Sequence, residues 1–254
     1  MSGKEFFIFG RKPIADLMRT GKLPDKILLL KTATGDEIKE ILTLAQQYEV
    51  PVQRVPREKL DALTGKYSRY REANHQGVVA FLPLIQYYTI EDAINAAYQR
   101  KENPLFVLLD GVTDIGNFGA IARSAECFGA HAIIVPTQGS AQINADAMKT
   151  SAGALNKILV CREKSLITAV KYLKLSGIKV YAAALKQSVP LATANFDIPA
   201  AIVLGNEGDG ISDAVLKLCD EAIRIPMSGT TESLNVSVSA GVILYEIHKQ
   251  RNHN

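Results

Sequence analysis

The chain has 254 residues, which is enough for one large domain or two of moderate size. Its 47% hydrophobic and 22% charged residues are typical of a globular protein and too apolar for intrinsic disorder. No apolar run approaches the roughly 20 residues of a membrane span, the start lacks a secretory signal, and the cysteines follow no metal-ligand pattern. We therefore expect a cytoplasmic protein with reduced thiols, no membrane contact and no metal.

Short helical and strand patterns alternate along the first 82 residues. The sequence predicts, in order, a helix at 14–18, a strand at 26–30, a helix at 36–48, a strand at 50–55, a helix at 57–63 and a strand at 77–82. This alternation indicates a small α/β domain over residues 1–82.

The positive charge of the chain lies in this first part. Residues 1–86 hold 14 Lys and Arg against 10 Asp and Glu, a net of +4, whereas residues 87–254 hold 15 against 16, a net of −1. The segment 54–71 interleaves cations with Tyr67 and Tyr70. Cations neutralise phosphates and tyrosines stack on unpaired bases, so the segment is a candidate for nucleic-acid binding. A solvated basic loop is the alternative interpretation.

After a linker at 83–103, a second pattern fills residues 104–254. Apolar strands are predicted at 105–109, 131–135, 157–160, 178–184, 200–204 and 222–226, with helices at 119–129, 145–152, 165–176, 212–219 and, last, at about 233–249. Strands that are apolar on both faces and separated by helices indicate a parallel sheet covered on both sides. In such a sheet ligands bind beyond the carboxyl ends of the strands, so the segments that follow three of these strands, the strand exits, are candidate ligand sites.

The first exit follows the strand at 105–109 and leads through a glycine-containing loop into a helix. Asn117 is placed to cap that helix, which is its simplest structural interpretation. Arg123 lies six residues further among small and apolar neighbours, so its guanidinium must reach a carboxylate, a phosphate or the solvent. Taken alone, the position favours an ion-paired or solvent-exposed arginine.

The second exit follows the strand at 200–204 and contains Gly205, Gly208 and Gly210. Glycines let the backbone approach a ligand closely, although this spacing only approximates the dinucleotide-binding fingerprint. Glu207 lies in the turn, where a carboxylate is solvated, caps the next helix or faces a ligand. A plain turn before a helix capped by Ser212 is the alternative.

The third exit, residues 223–241, has polar and small residues at the start of an otherwise apolar helix. Ser233 or Asn235 is a candidate helix cap. The small residues at 237 and 239–241 leave little side-chain bulk, which indicates a close contact with another helix, within the chain or between subunits.

Together these exits resemble the motifs of a known family. N-x-G-x3-R at Asn117–Arg123, L-G-N-E-G at Leu204–Gly208 and I-P-M-x-G…S-L-N-V-S-V at Ile225–Val238 match, in order and spacing, the SpoU/TrmH branch of the SPOUT methyltransferases. FGRKPIADLM near the start and NHQGVVA at 74–80 resemble that family's L30e-like RNA substrate-binding domain. The resemblance covers nearly the whole chain and is closest to the ribosomal and transfer RNA guanosine 2′-O-methyltransferases.

The resemblance implies a parallel sheet tied into a trefoil knot, S-adenosylmethionine as the cofactor and a homodimer. It places the cofactor at Leu204, Gly205, Ile225, Met227 and Leu234. It makes Arg123 the residue that activates the ribose hydroxyl, as a base or as an electrostatic stabiliser, with Asn117, Glu207, Ser233 and Asn235 orienting the groups around it. The predicted RNA contacts are Arg11, Lys12, Lys66, Arg69, Arg71 and His75.

The expected reaction is 2′-O-methylation of a ribose in structured RNA, with a guanosine of large-subunit ribosomal RNA as the first candidate and transfer RNA as the alternative. A non-catalytic RNA-binding or ribosome-assembly factor of the same fold is a rival of another class, and the intact set of polar motif residues argues against it. A nucleotide-dependent oxidoreductase is a poorer rival, because it needs its glycines directly after the first strand.

Overall fold

The computed structural model describes residues 7–65, 74–141, 143–230 and 233–252, which divide into two units between Leu84 and Ile85. Each unit is an α/β structure with its own apolar core. Within the described ranges no helix has both the length and the apolar character that crossing a membrane requires.

The first unit alternates strands and helices as the sequence predicts. Its elements are β1 (Phe7–Phe9), α1 (Arg11–Arg19), β2 (Lys26–Leu30), α2 (Asp36–Gln47), β3 (Val52–Val55), α3 (Arg57–Gly65) and β4 (Val78–Phe81). The sheet order is β1-β4-β2-β3, with β2 and β3 parallel and β4 antiparallel to β1 and β2. The three-residue strand β1 was not predicted, because so short a segment shows no periodicity.

Strand β2 shows why this sequence folds into layers. Side chains alternate between the two faces of a strand. Ile27 and Leu29 accordingly pack with the apolar faces of α1 and α2, whereas Leu28 packs on the other face with Leu60 of α3. These three side chains are almost fully buried, so β2 is the central strand of the unit's core.

The second unit is built on a larger sheet. Its elements are β5 (Tyr87–Tyr88), α4 (Ile90–Gln99), β6 (Leu105–Asp110), α5 (Ile115–Cys127), β7 (Ala132–Pro136), α6 (Ala145–Thr150), β8 (Leu159–Glu163), α7 (Leu166–Leu175), β9 (Lys179–Ala183), β10 (Val189–Pro190), β11 (Ala200–Gly205), α8 (Asp213–Leu216), β12 (Glu221–Arg224) and α9 (Val236–Arg251). The strands that the structure describes here form one eight-stranded sheet in the order β10-β12-β9-β11-β6-β7-β8-β5.

All neighbouring strands of this sheet run parallel, which confirms the predicted parallel α/β fold. Strand β6 shows the physical reason. Leu105, Val107 and Leu109 are buried in the core on one face of the sheet, and Phe106 and Leu108 are buried in the core on the other. The trefoil knot that the resemblance implies stays a prediction.

Most of the segment expected as a linker, 83–103, belongs to the second unit. The unit boundary lies between Leu84 and Ile85, and strand β5 pairs in parallel with β8. Helix α4 begins at a capping box formed by Thr89 and Asp92 and buries its apolar face. Strand β5 has only two residues and gives no pattern of its own, and helix α4 is an addition to the predicted elements.

Candidate active site

The three strand exits of the sequence analysis lie at one edge of the sheet, because parallel strands end on the same side. Strand β11 lies between β6 and β9, and β9 pairs with β12. At the end of the β6–β11 pair, Gly205 is directly opposite Asp110. The structure therefore makes the first two exits neighbours.

Helix α5 begins differently from the sequence prediction. Its cap is Asp114, whose Oδ1 accepts a hydrogen bond from the backbone N–H of Asn117 at 2.7 Å. Asn117 lies within the first turn of the helix, so the interpretation of Asn117 as the cap is wrong. Because Asp114 satisfies the helix end, the amide side chain of Asn117 is available for other contacts.

The second exit is a tight hairpin that follows β11. Asn206 and Gly210 exchange backbone hydrogen bonds of 3.2 and 3.1 Å. The side-chain Oδ1 of Asn206 accepts from the N–H groups of Gly208 and Asp209 at 2.8 and 2.7 Å. A Cβ on Gly205 would overlap the carbonyl of Gly210, so this close backbone approach requires glycine.

The third exit leads into α9, which Asn235 caps by accepting from the N–H groups of Ser237 and Val238 at 2.9 and 3.3 Å. Of the two candidate caps, the structure therefore selects Asn235. Its Nδ2 takes no part in the cap and donates to Oδ1 of Asn117 at 3.0 Å and also to Oε1 of Glu207. Nδ2 of Asn117 in turn donates to the same Glu207 oxygen at 3.4 Å.

Asn117, Glu207 and Asn235 thus form one hydrogen-bonded group, the polar cluster, built from all three exits. Glu207 and Asn235 are exposed and Asn117 is half-buried, so a ligand can reach the cluster. A carboxylate held by two amides accepts further hydrogen bonds while its position stays defined.

Arg123 and Ser233 do not join the polar cluster. Arg123 lies on α5 about 9 Å along the helix axis from Asn117 and about 120° around it. Both residues are exposed, and within the described part of the chain neither side chain makes a hydrogen bond or an ion pair. The guanidinium of Arg123 is therefore not used by its own unit, as the solvent-exposed interpretation expects.

The residues predicted to bind the cofactor differ in how far they are exposed to solvent. Leu204 is buried in β11, and Ile225 is half-buried against the core. Met227 and Leu234 leave 38% and 39% of their surface exposed. Leu234 directly precedes Asn235 of the polar cluster, so apolar and polar surface adjoin there, as a ligand with both apolar and polar parts requires.

A fourth strand exit carries no signal in the sequence. Strand β9 lies between β11 and β12, so the segment after it, 184–188, leaves the sheet between the exits that carry Gly205 and Ile225. Arg224 donates to the carbonyl of Ser188, and the side chain of Leu185 is 54% exposed. No local motif marks this segment, because its importance comes from the order of the strands.

The predicted RNA-binding residues of the first unit have different surroundings. Arg11 is held by Gln76, which accepts from the Arg11 backbone N–H at 2.9 Å and from its Nε at 3.1 Å, and Lys12 is exposed. The remaining N–H groups of the Arg11 guanidinium are available for an anion. Lys66, Arg69 and Arg71 lie outside the described residues.

His75 does not fit the expected RNA-facing position. Its side chain is only 8% exposed, its Nε2 lies 2.9 Å from Oδ1 of Asp61, and its Nδ1 accepts from the N–H of Gly77 at 2.9 Å. Both ring nitrogens are used within the unit. The histidine therefore holds the turn before β4, and its role as an RNA contact stays a prediction.

A parallel α/β sheet with a polar cluster at its strand ends, preceded by a small α/β unit, defines the class: a two-part α/β protein with a ligand site beyond the strands. Family models narrow this class. Residues 104–245 match the SpoU rRNA Methylase family, and residues 7–88 match the domain described as RNA 2′-O ribose methyltransferase substrate binding. The chain belongs to the SpoU rRNA methylase family, which confirms the resemblance.

Individual relatives agree with this assignment. The chain is 31% identical over 253 residues to YacO of Bacillus subtilis (strain 168), named as a TrmH family tRNA/rRNA methyltransferase, covering 99% of this chain and 98% of the relative. It is 36% identical to a tRNA/rRNA methyltransferase of Mycobacterium leprae (strain TN) across 96% of this chain and 77% of the relative. The solved SpoU methyltransferase AviRb from Streptomyces viridochromogenes, in complex with the cofactor AdoMet, is 26% identical, with a TM-score of 0.60 over 98% of this chain and 92% of its own.

Proposed function

We propose that this protein transfers a methyl group from S-adenosylmethionine to a ribose 2′-hydroxyl of RNA. The polar cluster carries the proposal, because it unites residues of the three family motifs at the ligand-binding edge of the sheet. The match of residues 7–88 to a 2′-O-ribose methyltransferase substrate-binding model supports the ribose as the target.

The residues at the strand exits suit this cofactor. Met227 and Leu234 offer exposed apolar surface for the adenine face, together with the more buried Leu204, Gly205 and Ile225. The backbone of the exit loops offers polar groups to the ribose and the methionine part. S-adenosylmethionine supplies an electrophilic methyl group when bound. The exit of β9, with Leu185, is a further part of this cofactor surface.

The chain's own side chains position the RNA hydroxyl and stabilise the charge that it develops. The polar cluster orients the ribose through Glu207 and the two amides. Arg123 has an unused guanidinium, which binds an RNA phosphate or stabilises the developing alkoxide; an arginine normally stays protonated, so electrostatic stabilisation is the role we favour. Ser233, exposed before α9, contacts the RNA backbone.

RNA binding is assigned to the first unit. Arg11, oriented by Gln76, and the neighbouring Lys12 are its phosphate contacts, together with the predicted Lys66, Arg69 and Arg71. Arg11→Ala is expected to weaken RNA binding and to reduce its salt dependence. Arg19→Ala is the matched control, because Arg19 ends the same helix and is already paired with Glu40 and Asp16. An unchanged salt dependence in Arg11→Ala would remove Arg11 from the RNA-binding surface.

A guanosine of large-subunit ribosomal RNA is the proposed target, in the cytoplasm, and transfer RNA is the second candidate, since relatives carry both substrates in their names. We also propose a homodimer. Val238, Val242 and Tyr245 lie one helical turn apart on α9 and are 50%, 39% and 56% exposed, an apolar stripe that a second copy would cover.

The decisive experiment is transfer of labelled methyl from S-adenosylmethionine to total ribosomal and transfer RNA, followed by mapping of the modified nucleotide. Arg123→Ala is expected to lose most of the activity, whereas Arg100→Ala, which removes an exposed arginine at the end of α4, keeps it. Cofactor binding without labelling of either RNA would contradict the proposed reaction and favour a non-catalytic RNA-binding role.

A further inference from the structure

Asp110 ends strand β6 and connects two strand exits that are far apart in sequence. One oxygen of its carboxylate, Oδ2, accepts hydrogen bonds from both the backbone N–H and the Oγ of Ser212, at 2.8 and 2.7 Å. The two residues are 102 positions apart. The alternative interpretation of this exit makes Ser212 the side-chain cap of α8, but its hydroxyl makes no cap and donates to Asp110 instead.

This bond closes the segment 205–212, the glycine loop, against the first exit. At its start, Gly205 is held opposite Asp110 by the sheet register. At its second residue, the Nδ2 of Asn206 lies so close to Gly111 that a Cβ on Gly111 would approach it to 2.9 Å. At its end, Ser212 is bound by Asp110. The loop therefore meets the β6 exit at three points: it is paired in the sheet at Gly205, in close approach at Asn206 and hydrogen-bonded at Ser212. Glu207 lies between the second and the third.

The same atomic arrangement occurs elsewhere in the unit with only a local effect. Oδ2 of Asp92 accepts from the backbone N–H and the hydroxyl of Thr89 at 3.0 and 2.7 Å. Those two residues are three positions apart and cap α4. Asp92 and Asp110 thus make the same pair of hydrogen bonds. The pair at Asp92 caps a helix, and the pair at Asp110 joins two strand exits.

We propose that Asp110 is a positioning residue for the methyl transfer reaction. Through Ser212 it holds the glycine loop, and with it the backbone of Gly205 and the carboxylate of Glu207, in the arrangement that binds the cofactor and completes the polar cluster. Asp110 acts as a hydrogen-bond acceptor, and its charge is not required. This inference rests on the proposed function.

The test compares binding of S-adenosylmethionine, by calorimetry, in the full chain and its variants. Asp110→Ala removes both bonds to Ser212 and is expected to weaken cofactor binding about tenfold. Ser212→Ala removes the hydroxyl bond alone and is expected to weaken binding about threefold. The double variant is expected to bind no more weakly than Asp110→Ala, because the serine hydroxyl then has no partner to lose. Additive losses would contradict action through Ser212.

Asp110→Asn separates positioning from charge. Its carboxamide oxygen still accepts both bonds, so cofactor affinity and kcat are expected to stay within about threefold of wild type. Asp92→Ala is the matched control: it loses the same two kinds of bond and lowers thermal stability, but it leaves cofactor affinity unchanged. In Asp110→Ala, kcat and the KM for the cofactor are expected to change while the KM for RNA does not.

The possible results distinguish the two proposals. If wild type binds no S-adenosylmethionine, the proposed function fails. If wild type binds it and Asp110→Ala binds equally well, or Asp92→Ala loses as much affinity as Asp110→Ala, the positioning role is overturned while the proposed function stands. If Asp110→Ala does not fold, the other two variants test the proposal. Wild-type cofactor affinity in Ser212→Ala, or a tenfold loss of affinity in Asp110→Asn, overturns it.

Discussion

Asn235 and Asn117 are 118 residues apart in sequence, and a hydrogen bond of 3.0 Å joins their side chains. Asn235 has two functions at once: its Oδ1 caps α9 and its Nδ2 connects Asn117 with Glu207. The helix that begins at Val236 therefore starts at the polar cluster, and the stability of that helix end and the geometry of the site depend on one side chain.

Replacing Asn235 by aspartate separates these functions. Aspartate caps helices as well as asparagine does, so α9 keeps its start. The two donated hydrogen bonds are lost and a second carboxylate is placed beside Glu207, so methyl transfer is expected to fall by at least about tenfold. Activity and thermal unfolding of Asn235→Asp are the measurements.

Asn144→Asp is the control for this prediction. Asn144 caps α6 in the same way, accepting from the N–H groups of Asp146 and Ala147 at 2.9 and 3.0 Å, and is outside the polar cluster. It is expected to retain activity. An Asn235→Asp variant as active as Asn144→Asp would show that the donated bonds do not matter to the reaction.

Gly205→Ala is expected to destabilise the second unit by about 3 kcal/mol and to prevent cofactor binding. The new methyl group would meet backbone atoms of Gly210 and Ile211, which cannot rotate away as a side chain can. Denaturant unfolding checks the stability. The control is Gly65→Ala, since a Cβ there has no atom within 4 Å. Equal stability of the two variants would contradict the close packing of the glycine loop.

Lowering the pH is expected to lower the free energy of unfolding through protonation of His131. Its side chain is 3% exposed, and burial lowers the pKa of His131, with Glu102 partly opposing the shift through a 2.9 Å contact. Nδ1 accepts from the N–H of Leu105 at 3.1 Å, and a protonated Nδ1 can no longer accept. Because the folded pKa lies below the unfolded value of 6.5, the unfolded state takes up the proton first.

The free energy of unfolding should therefore fall as the pH drops below about 6.5, by at most about 1.4 kcal/mol per pH unit from this one group. Denaturant unfolding at pH 7.5 and at pH 5.5 measures the loss. His131→Gln is expected to show a smaller loss over the same interval, since glutamine does not titrate. Identical pH dependence in the two proteins would exclude His131 as a source.

Val242→Glu is expected to convert a dimer into a monomer. It puts a charge into the middle of the apolar stripe on α9, where a second copy would have to bury it. Sedimentation measures the mass in solution. Leu175→Glu is the matched control, because Leu175 is 88% exposed on α7 and is outside the stripe. A wild-type monomer, or a dimeric Val242→Glu variant, would contradict the proposed interface.

The strands of the second unit could be located from sequence because they are apolar on both faces. Residues 105–109 and 200–204, for example, were predicted as strands and form β6 and β11. The two-residue strands β5 and β10 were missed, since their hydrogen bonds come from distant partners and leave no local pattern. Strand β5 lies in the segment 83–103, which the sequence analysis expects to be a linker.

The candidate site shows a similar division. The motif order indicated the family, and the family models confirm it. Single residues were harder to interpret. Asn117 resembles a helix cap in sequence, yet Asp114 is the cap, because either residue fits the local pattern and the contact with Asn235 is not local. His75 resembles an exposed RNA contact, yet Asp61 and Gly77 engage its ring within the unit.

Local composition was thus sufficient to find the α/β alternation, the basic first part and the three motif-bearing exits, since side-chain period and turn chemistry act over a few residues. The contacts among Asn117, Glu207 and Asn235, the bond from Asp110 to Ser212 and the place of the β9 exit followed from strand order and register. These contacts join residues 28 to 118 positions apart, whose pairing is chosen by the packing of the whole sheet.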